Sequence, residues 1–324
     1  MKILLLIILI AAALIIALGF ALASYSMRNH PQTLEEARAW QEDHYDIFWY
    51  DQLEKEGYVV RSFDDYELHV EVLYNPVMSD RYILISHGYT DNHFGSLKYT
   101  KMYLDLGFNV ILYDLRGHGQ NELTHCTYSI RESRDLKVLI EDCRKRFPDA
   151  KVFGIHGESL GSATSIAVLK YKPEIDFVVA DCGFSEIRSV MAAGLRGMHL
   201  PVGLVGLASV CAKIRYGHYF EEMRPIDSLQ DNEVPILFMH GTDDDFILPF
   251  HSENMNEANK GYSELHMIEG ATHAASVLAD PDRYRECVEA FFRTIGVLQE
   301  EPEHAYRPPV IPEEEIDEDH PSLP

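Results

Sequence analysis

The stretch from Lys151 to Thr164 constrains this chain more than any other. An apolar run, Lys151–His156, leads into Gly157-Glu158-Ser159-Leu160-Gly161, and the small residues Ser162-Ala163-Thr164 follow. Such a run demands a strand, a turn of a few residues and a helix in immediate succession. Glycines flank the serine because neighbouring backbone comes too close there for a Cβ. A serine on that turn is strained, and its Oγ stands exposed above the strand ends. The blander reading of Ser159 is a helix N-cap. Its setting makes it the candidate nucleophile.

The rest of residues 58–299 repeats the same rhythm. Strands are predicted at Tyr58–Ser62, Glu67–Tyr74, Arg81–Ser86, Asn109–Tyr113, Lys151–Ile155, Phe177–Ala180, Pro235–Met239 and Glu264–Ile268. Helical patterns fall near Gly95–Leu106, Ile130–Arg146, Leu160–Tyr171, Phe250–Asn259 and Asp282–Ile295. Near-continuous apolar strands separated by helices predict a mostly parallel, doubly wound α/β sheet covered on both faces. Between Asp181 and Val234 the rhythm breaks into a helical insertion with glycines at 194, 197, 203 and 206. Its place at a strand end predicts a small helical cap over residues 185–230.

A serine hydroxyl needs a base, and the base an orienting acid. The strand ending near Met239 runs into His240-Gly241-Thr242-Asp243-Asp244-Asp245, and the next into Glu269-Gly270-Ala271-Thr272-His273. His273 is the expected base, and an aspartate of the triplet the expected acid. An oxyanion hole needs two backbone N–H groups. Leu160, directly after the serine, supplies one candidate, and Tyr89, in the loop His87-Gly88-Tyr89 after the strand Arg81–Ser86, the other. His87 is read as a loop-orienting residue, with a metal ligand as the alternative. No H-E-x-x-H, G-x-x-x-x-G-K-[ST] or G-x-G-x-x-G pattern occurs, so no metal and no nucleotide cofactor is expected.

The two ends of the chain read differently. Ile3–Ala23 carries no charge, and its 21 residues span roughly 31 Å as a helix, the thickness of a hydrocarbon core. With Lys2 ahead of it, the run predicts a signal anchor at residues 1–27 holding an extracytoplasmic domain in the membrane. Ala21-Leu22-Ala23 keeps a cleaved signal peptide open as the alternative, giving a secreted protein. Residues 28–57 are expected to be a helical linker and packing segment, with Trp40, Trp49 and Tyr50 available to pack on the domain. Residues 300–324 hold nine acids, six prolines and one arginine, a composition that predicts a disordered tail. The formal net charge of −24 argues against a nucleic-acid partner. Cys126, Cys143, Cys182, Cys211 and Cys287 form no C-x-x-C and are expected to be isolated buried thiols.

Taken together, His87-Gly88-Tyr89, Asp114-Leu115-Arg116-Gly117-His118-Gly119, Gly157-Glu158-Ser159-Leu160-Gly161, His240-Gly241 with its aspartates, and Gly270-Ala271-Thr272-His273 resemble the α/β-hydrolase superfamily. The chain is most similar to membrane-anchored or secreted bacterial serine hydrolases of the serine aminopeptidase-like group. The resemblance implies the α/β-hydrolase fold, a Ser-His-Asp triad and no cofactor. It also implies that Asp114 and His118 belong to a structural turn. Relatives usually place the acid four residues after the histidine of H-G, which selects Asp244. The loop up to Pro249 is one residue longer than usual, and counting back from that proline selects Asp245 instead.

The expected activity is hydrolysis of a small-molecule carboxylic ester by Ser159, His273 and Asp244 through an acyl-enzyme. A serine aminopeptidase is the rival enzyme, needing a carboxylate for a substrate ammonium; Glu186, Glu221 and Glu222 near the cap are available. A non-catalytic binding protein on the same fold is the rival of another class. Apolar cap residues Met191, Leu195, Met198, Leu200, Leu204, Val205 and Leu207 are expected either to set acyl preference or only to pack on the sheet.

Overall fold

The computed structural model describes residues 1–298; the acidic tail predicted for 300–324 lies outside the described residues. Eight strands build one sheet: β1 (Lys55–Arg61), β2 (Glu67–Leu73), β3 (Arg81–Ser86), β4 (Asn109–Tyr113), β5 (Val152–Glu158), β6 (Phe177–Asp181), β7 (Ile236–Gly241) and β8 (Ser263–Ile268). They lie in the order β1-β2-β4-β3-β5-β6-β7-β8. β1 and β2 form an antiparallel hairpin, and β2 runs antiparallel to β4. Every pairing from β4 across to β8 is parallel. This is the α/β-hydrolase architecture that the motifs imply.

The helices are α1 (Lys2–Met27), α2 (Leu34–His44), α3 (Phe48–Gln52), α4 (Leu97–Asp105), α5 (Ile130–Arg146), α6 (Leu160–Ala167), α7 (Ile187–Gly197), α8 (Leu204–Tyr216), α9 (Phe250–Ala258), α10 (Ser276–Ala279) and α11 (Pro281–Thr294). Alternate residues of the central strands feed the two faces, as a strand's two-residue period requires. Leu84, Ile111 and Ile155 pack with Leu136, Leu139 and Ile140 of α5 and Ile166 of α6. Their neighbours Ile83, Ile85 and Val110 pack with Tyr99 and Tyr103 of α4 and Phe291 and Phe292 of α11. α5 begins at a capping box between Ser129 and Glu132 and ends in Arg144-Lys145-Arg146, charges that suit its dipole.

Three local expectations need correction. β1 starts at Lys55, not Tyr58, inside the segment read as a linker. It is an edge strand exposed along most of its length, so burial writes little alternation into Lys55-Glu56-Gly57. The helix expected over Leu160–Tyr171 changes to a 3₁₀ turn at Val168. The short α10 was not anticipated. Within residues 28–57, α2 carries a Thr33–Glu36 capping box, Tyr50 is buried, and Trp49 packs on the same cluster as α4 and α11. All five cysteines are free and buried.

Candidate active site

β5 ends at Glu158 and α6 begins at Leu160, leaving Ser159 alone to make the turn, with φ 53° and ψ −112°. That left-handed backbone costs a non-glycine residue of order 1–3 kcal/mol and persists only where its surroundings enforce it. The Ser159 N–H donates to the Asp181 carbonyl at 2.9 Å, and the Ala163 N–H to the Ser159 carbonyl at 3.0 Å. The glycines are needed for proximity. A Cβ on Gly157 would sit 2.3 Å from the Gly161 carbonyl oxygen, and one on Gly161 would sit 2.0 Å from that of Ser86.

Three sequence-predicted residues meet here. Ser159 Oγ lies 2.9 Å from His273 Nε2. His273 Nδ1 lies 2.7 Å from Asp244 Oδ2. Asp244 Oδ1 accepts the N–H groups of Phe246 and Ile247 at 3.0 and 2.9 Å. Burial works against the Asp244 carboxylate, but hydrogen bonds from His240, His273 and the Ile247 N–H hold its pKa well below the usual range. Asp244 is buried, whereas Asp243 and Asp245 are exposed. Phe246 projects over the site, its ring 5.0 Å from that of His273 and edge-on to it.

The loop of Tyr89 passes over Ser159: a Cβ on Gly88 would lie 3.8 Å from the serine Cβ. His87 and His118 hold that loop. His87 Nδ1 donates to the Gly88 carbonyl at 2.7 Å, and its Nε2 accepts the Leu115 N–H at 2.9 Å. Burial first, then nearby His118, pushes the His87 pKa down to about 3, so the ring is neutral, as that bonding pattern requires. His118 Nε2 donates to the Tyr89 carbonyl. Asp114 accepts the N–H groups of His93 and Gln120 at 2.8 and 2.9 Å, which shapes the turn.

Beneath the serine lies an ionic cluster that the sequence reading missed. The Lys98 ammonium contacts the Glu158 carboxylate, and both side chains are less than a tenth exposed. Lys98 Nζ also donates to the Ala274 carbonyl at 2.9 Å, so one cation ties the serine turn to the His273 loop. Burial disfavours this ammonium, yet Glu158 raises its pKa above the ordinary value. Tyr99 donates to Glu158 at 2.6 Å and to Asp181 at 3.1 Å. Burial, then Glu158, pushes Asp181 up to about 6. Cys182, Asp244 and His273 also bring potential metal donors within 4.8 Å of one another. Burial holds the Cys182 thiol protonated, and the other two donors are already engaged with each other.

Two cavities of about 380 Å³ each meet at Ser159 and Phe246. One has a mixed lining that includes the polar side chains of Gln32, Gln41, Asp91 and Lys98 beside Trp40 and Leu278. The other is apolar, lined by Leu160, Phe184, Ile187, Val190, Leu195 and Val205 among others. Of the cap residues singled out by sequence, Met191, Leu195, Met198 and Val205 line this cavity. Leu207 packs instead against Gly19 of α1, and Leu200 is exposed. The acids considered for an ammonium site are paired elsewhere: Glu186 with Arg224, Glu221 with Arg188, and Glu222 with Lys213. None of the three lines either cavity.

Comparison with known proteins agrees with this fold. The family model of serine aminopeptidase, S33, matches residues 78–202. YqkD of Bacillus subtilis, described as uncharacterized, is 32% identical over 286 residues, covering 86% of this chain and 92% of its own length. Among solved structures, the Pyrococcus furiosus esterase Pf2001 superposes with a TM-score of 0.66 at 21% identity, over 83% of this chain and 98% of its own. The acylaminoacyl peptidase of Pyrococcus horikoshii gives 0.57 at 14%, over 79% of this chain and 43% of its own. The chain belongs to the serine aminopeptidase-like group of α/β hydrolases and is a serine hydrolase.

Proposed function

We propose that this protein hydrolyses carboxylic esters with apolar acyl chains, through an acyl-enzyme on Ser159. His273 Nε2 takes the Ser159 proton as Oγ attacks the carbonyl carbon, while Asp244 holds the Nδ1–H and stabilises the imidazolium. The tetrahedral oxyanion receives the N–H groups of Tyr89 and Leu160. Collapse breaks the acyl C–O bond, and His273 gives its proton to the departing alkoxide. Water, deprotonated by the same histidine, then adds to the acyl-enzyme and releases the carboxylic acid, restoring Ser159.

The apolar cavity beginning at Leu160, beside the nucleophile, carries this reading. An acyl chain fits its chemistry, and a charged aminoacyl group does not. The second cavity at Ser159, where Gln32, Gln41 and Lys98 offer polar groups, suits a leaving alcohol. Of the carboxylates there, Glu158 is paired with Lys98, while Asp91 accepts the Asn92 N–H at 2.9 Å and burial lifts its pKa to about 6. Asp91 has no ion pair among the described residues, but burial disfavours the charged form that a substrate ammonium would need, which weighs against the aminopeptidase reading.

The same proposal keeps α1 as a membrane anchor with the catalytic domain outside. Its length and apolar composition fit a span, and only 6% of its most apolar window is buried in the fold. p-Nitrophenyl esters from acetate to laurate, assayed beside aminoacyl anilides, test the activity. Each buried methylene contributes about 0.8 kcal/mol, so kcat/KM should climb by up to about fifteenfold per two methylenes until the cavity is full. Anilides turned over faster than every ester would refute the ester reading.

A further inference from the structure

The N-terminal helix has two distinct parts. Towards its start it packs on nothing: Ile3 is 76% exposed and Leu14 66%. From Gly19 onward it docks along the cap helix α8. A Cβ on Gly19 would lie 2.7 Å from Leu207 Cγ and 2.8 Å from Cys211 Sγ. Five residues later, Arg215 donates to Ser24 Oγ at 2.8 Å. The two helices therefore run side by side in the same direction. At the end of α1 the Cys126 N–H donates to the Met27 carbonyl at 2.9 Å, and Tyr128 donates to the Ser26 carbonyl. Ala23 and Met27 are fully buried. The helix then furnishes one wall of the apolar cavity at Ser159, through Leu22, Tyr25 and Ser26, with His30 just beyond.

The parallel docking sets a depth for the cap. Gly19 lies four residues inside the end of the apolar run at Ala23, about 6 Å along the axis. Leu207 is level with it, and the start of α8 at Leu204 is about 5 Å deeper. The α7–α8 turn, residues 198–203, thus reaches roughly 10 Å into a hydrocarbon core whose half-thickness is about 15 Å. The side chains there suit that depth. Met198, Leu200 and Val202 are 53%, 39% and 37% exposed, and further along α8 Val210 and Ile214 are 49% and 69% exposed. Contiguous exposed apolar groups on a soluble surface mark a contact still to be made. Lys213, Arg215 and Arg28 follow near the end of the apolar run, at headgroup level, where basic side chains are favoured.

We propose that the cap tip is seated in the same leaflet as the anchor, and that the cavity between them takes its acyl chain from the bilayer. The substrate class is a single-chain acyl ester lipid resident in the membrane. The anchor is then a specificity-determining part of the site as well as a tether. This rests on the ester reading above. The chemistry is unchanged: water supplies the oxygen and the proton, the acyl C–O bond breaks, and a fatty acid and an alcohol leave.

The test uses the full-length protein reconstituted in phosphatidylcholine vesicles containing 1-monooleoylglycerol, with p-nitrophenyl acetate as a soluble reference. Leu22→Trp, which fills the cavity from the anchor side, should lower the monooleoylglycerol-to-acetate rate ratio at least tenfold. The double variant Leu200→Lys/Val202→Lys lies on the exposed turn away from the cavity lining. It should lower the ratio similarly in vesicles and restore it in detergent micelles, where no bilayer has to be entered. A wild-type ratio from either variant in vesicles overturns the proposal. Wild type active on acetate but inactive on monooleoylglycerol in vesicles overturns it while leaving the ester reading standing. Inactivity on both esters overturns the two together.

Discussion

Replacing Asp244 by asparagine changes one atom in the hydrogen-bond chain and reverses its sense. In the wild type, Oδ2 accepts from His273 Nδ1 at 2.7 Å, which leaves Nε2 free to accept the Ser159 proton at 2.9 Å. Asparagine can keep its oxygen on the Phe246 and Ile247 N–H groups, whose bonds of 3.0 and 2.9 Å anchor the loop. Its NH₂ then faces Nδ1 and donates to it. The imidazole shifts to the tautomer protonated on Nε2, and the base is lost. In a triad of this geometry that costs on the order of 10⁴ in kcat, about 5.5 kcal/mol of transition-state stabilisation. Asp243 and Asp245 are exposed, so their asparagine variants should stay within about threefold of wild type. Initial rates on p-nitrophenyl hexanoate, with circular dichroism to verify folding, separate the cases. An active, folded Asp244→Asn protein, or an inactive Asp245→Asn protein, would refute the reasoning.

Two further outcomes follow from the cluster under the serine. Lys98→Met leaves the Glu158 carboxylate buried without its cation, and should cost roughly 3–5 kcal/mol, lowering Tm by roughly 6–20 °C. Adding Glu158→Leu should recover most of that loss, because an apolar pair leaves no charge stranded; a double variant no more stable than the single would contradict this. Asp181 is a raised acid, so the folded state binds more protons than the unfolded one between its ordinary pKa and about 6. Its ionisation therefore subtracts stability as pH rises through that window, by up to about 3 kcal/mol. Asp181→Asn should accordingly gain stability relative to wild type from pH 4 to pH 7 in urea denaturation, and a pH-independent difference would contradict the assignment.

What could be read before the fold was known divides along physical lines. Arg81–Ser86, Asn109–Tyr113 and Ile130–Arg146 were legible to the residue, because buried strands are continuous apolar runs and a capped amphipathic helix marks its own ends. Ser159, Asp244 and His273 were legible as candidates because each follows a strand end, in the chain order that the motif requires. The choice between Asp244 and Asp245 was harder, since it depends on how the loop between β7 and α9 folds, and that is settled by which carboxylate the Phe246 and Ile247 N–H groups hold in place. Lys98 and Trp40 gave no local signal. They reach the serine from 61 and 119 residues away, and periodicity within a helix says nothing about which distant strand end it will face. The docking of α1 on the cap was hidden likewise, because an apolar run reads the same whether lipid or protein lies against it.

The central claim is that Ser159 is the covalent nucleophile of an ester hydrolase. Labelling the full-length protein with a fluorophosphonate and locating the adduct by peptide mass spectrometry tests it most directly. The account predicts one adduct, on Ser159, absent from Ser159→Ala and formed far more slowly in Asp244→Asn. Stoichiometric labelling that survives in Ser159→Ala, or an adduct on another residue of the wild type, would contradict it.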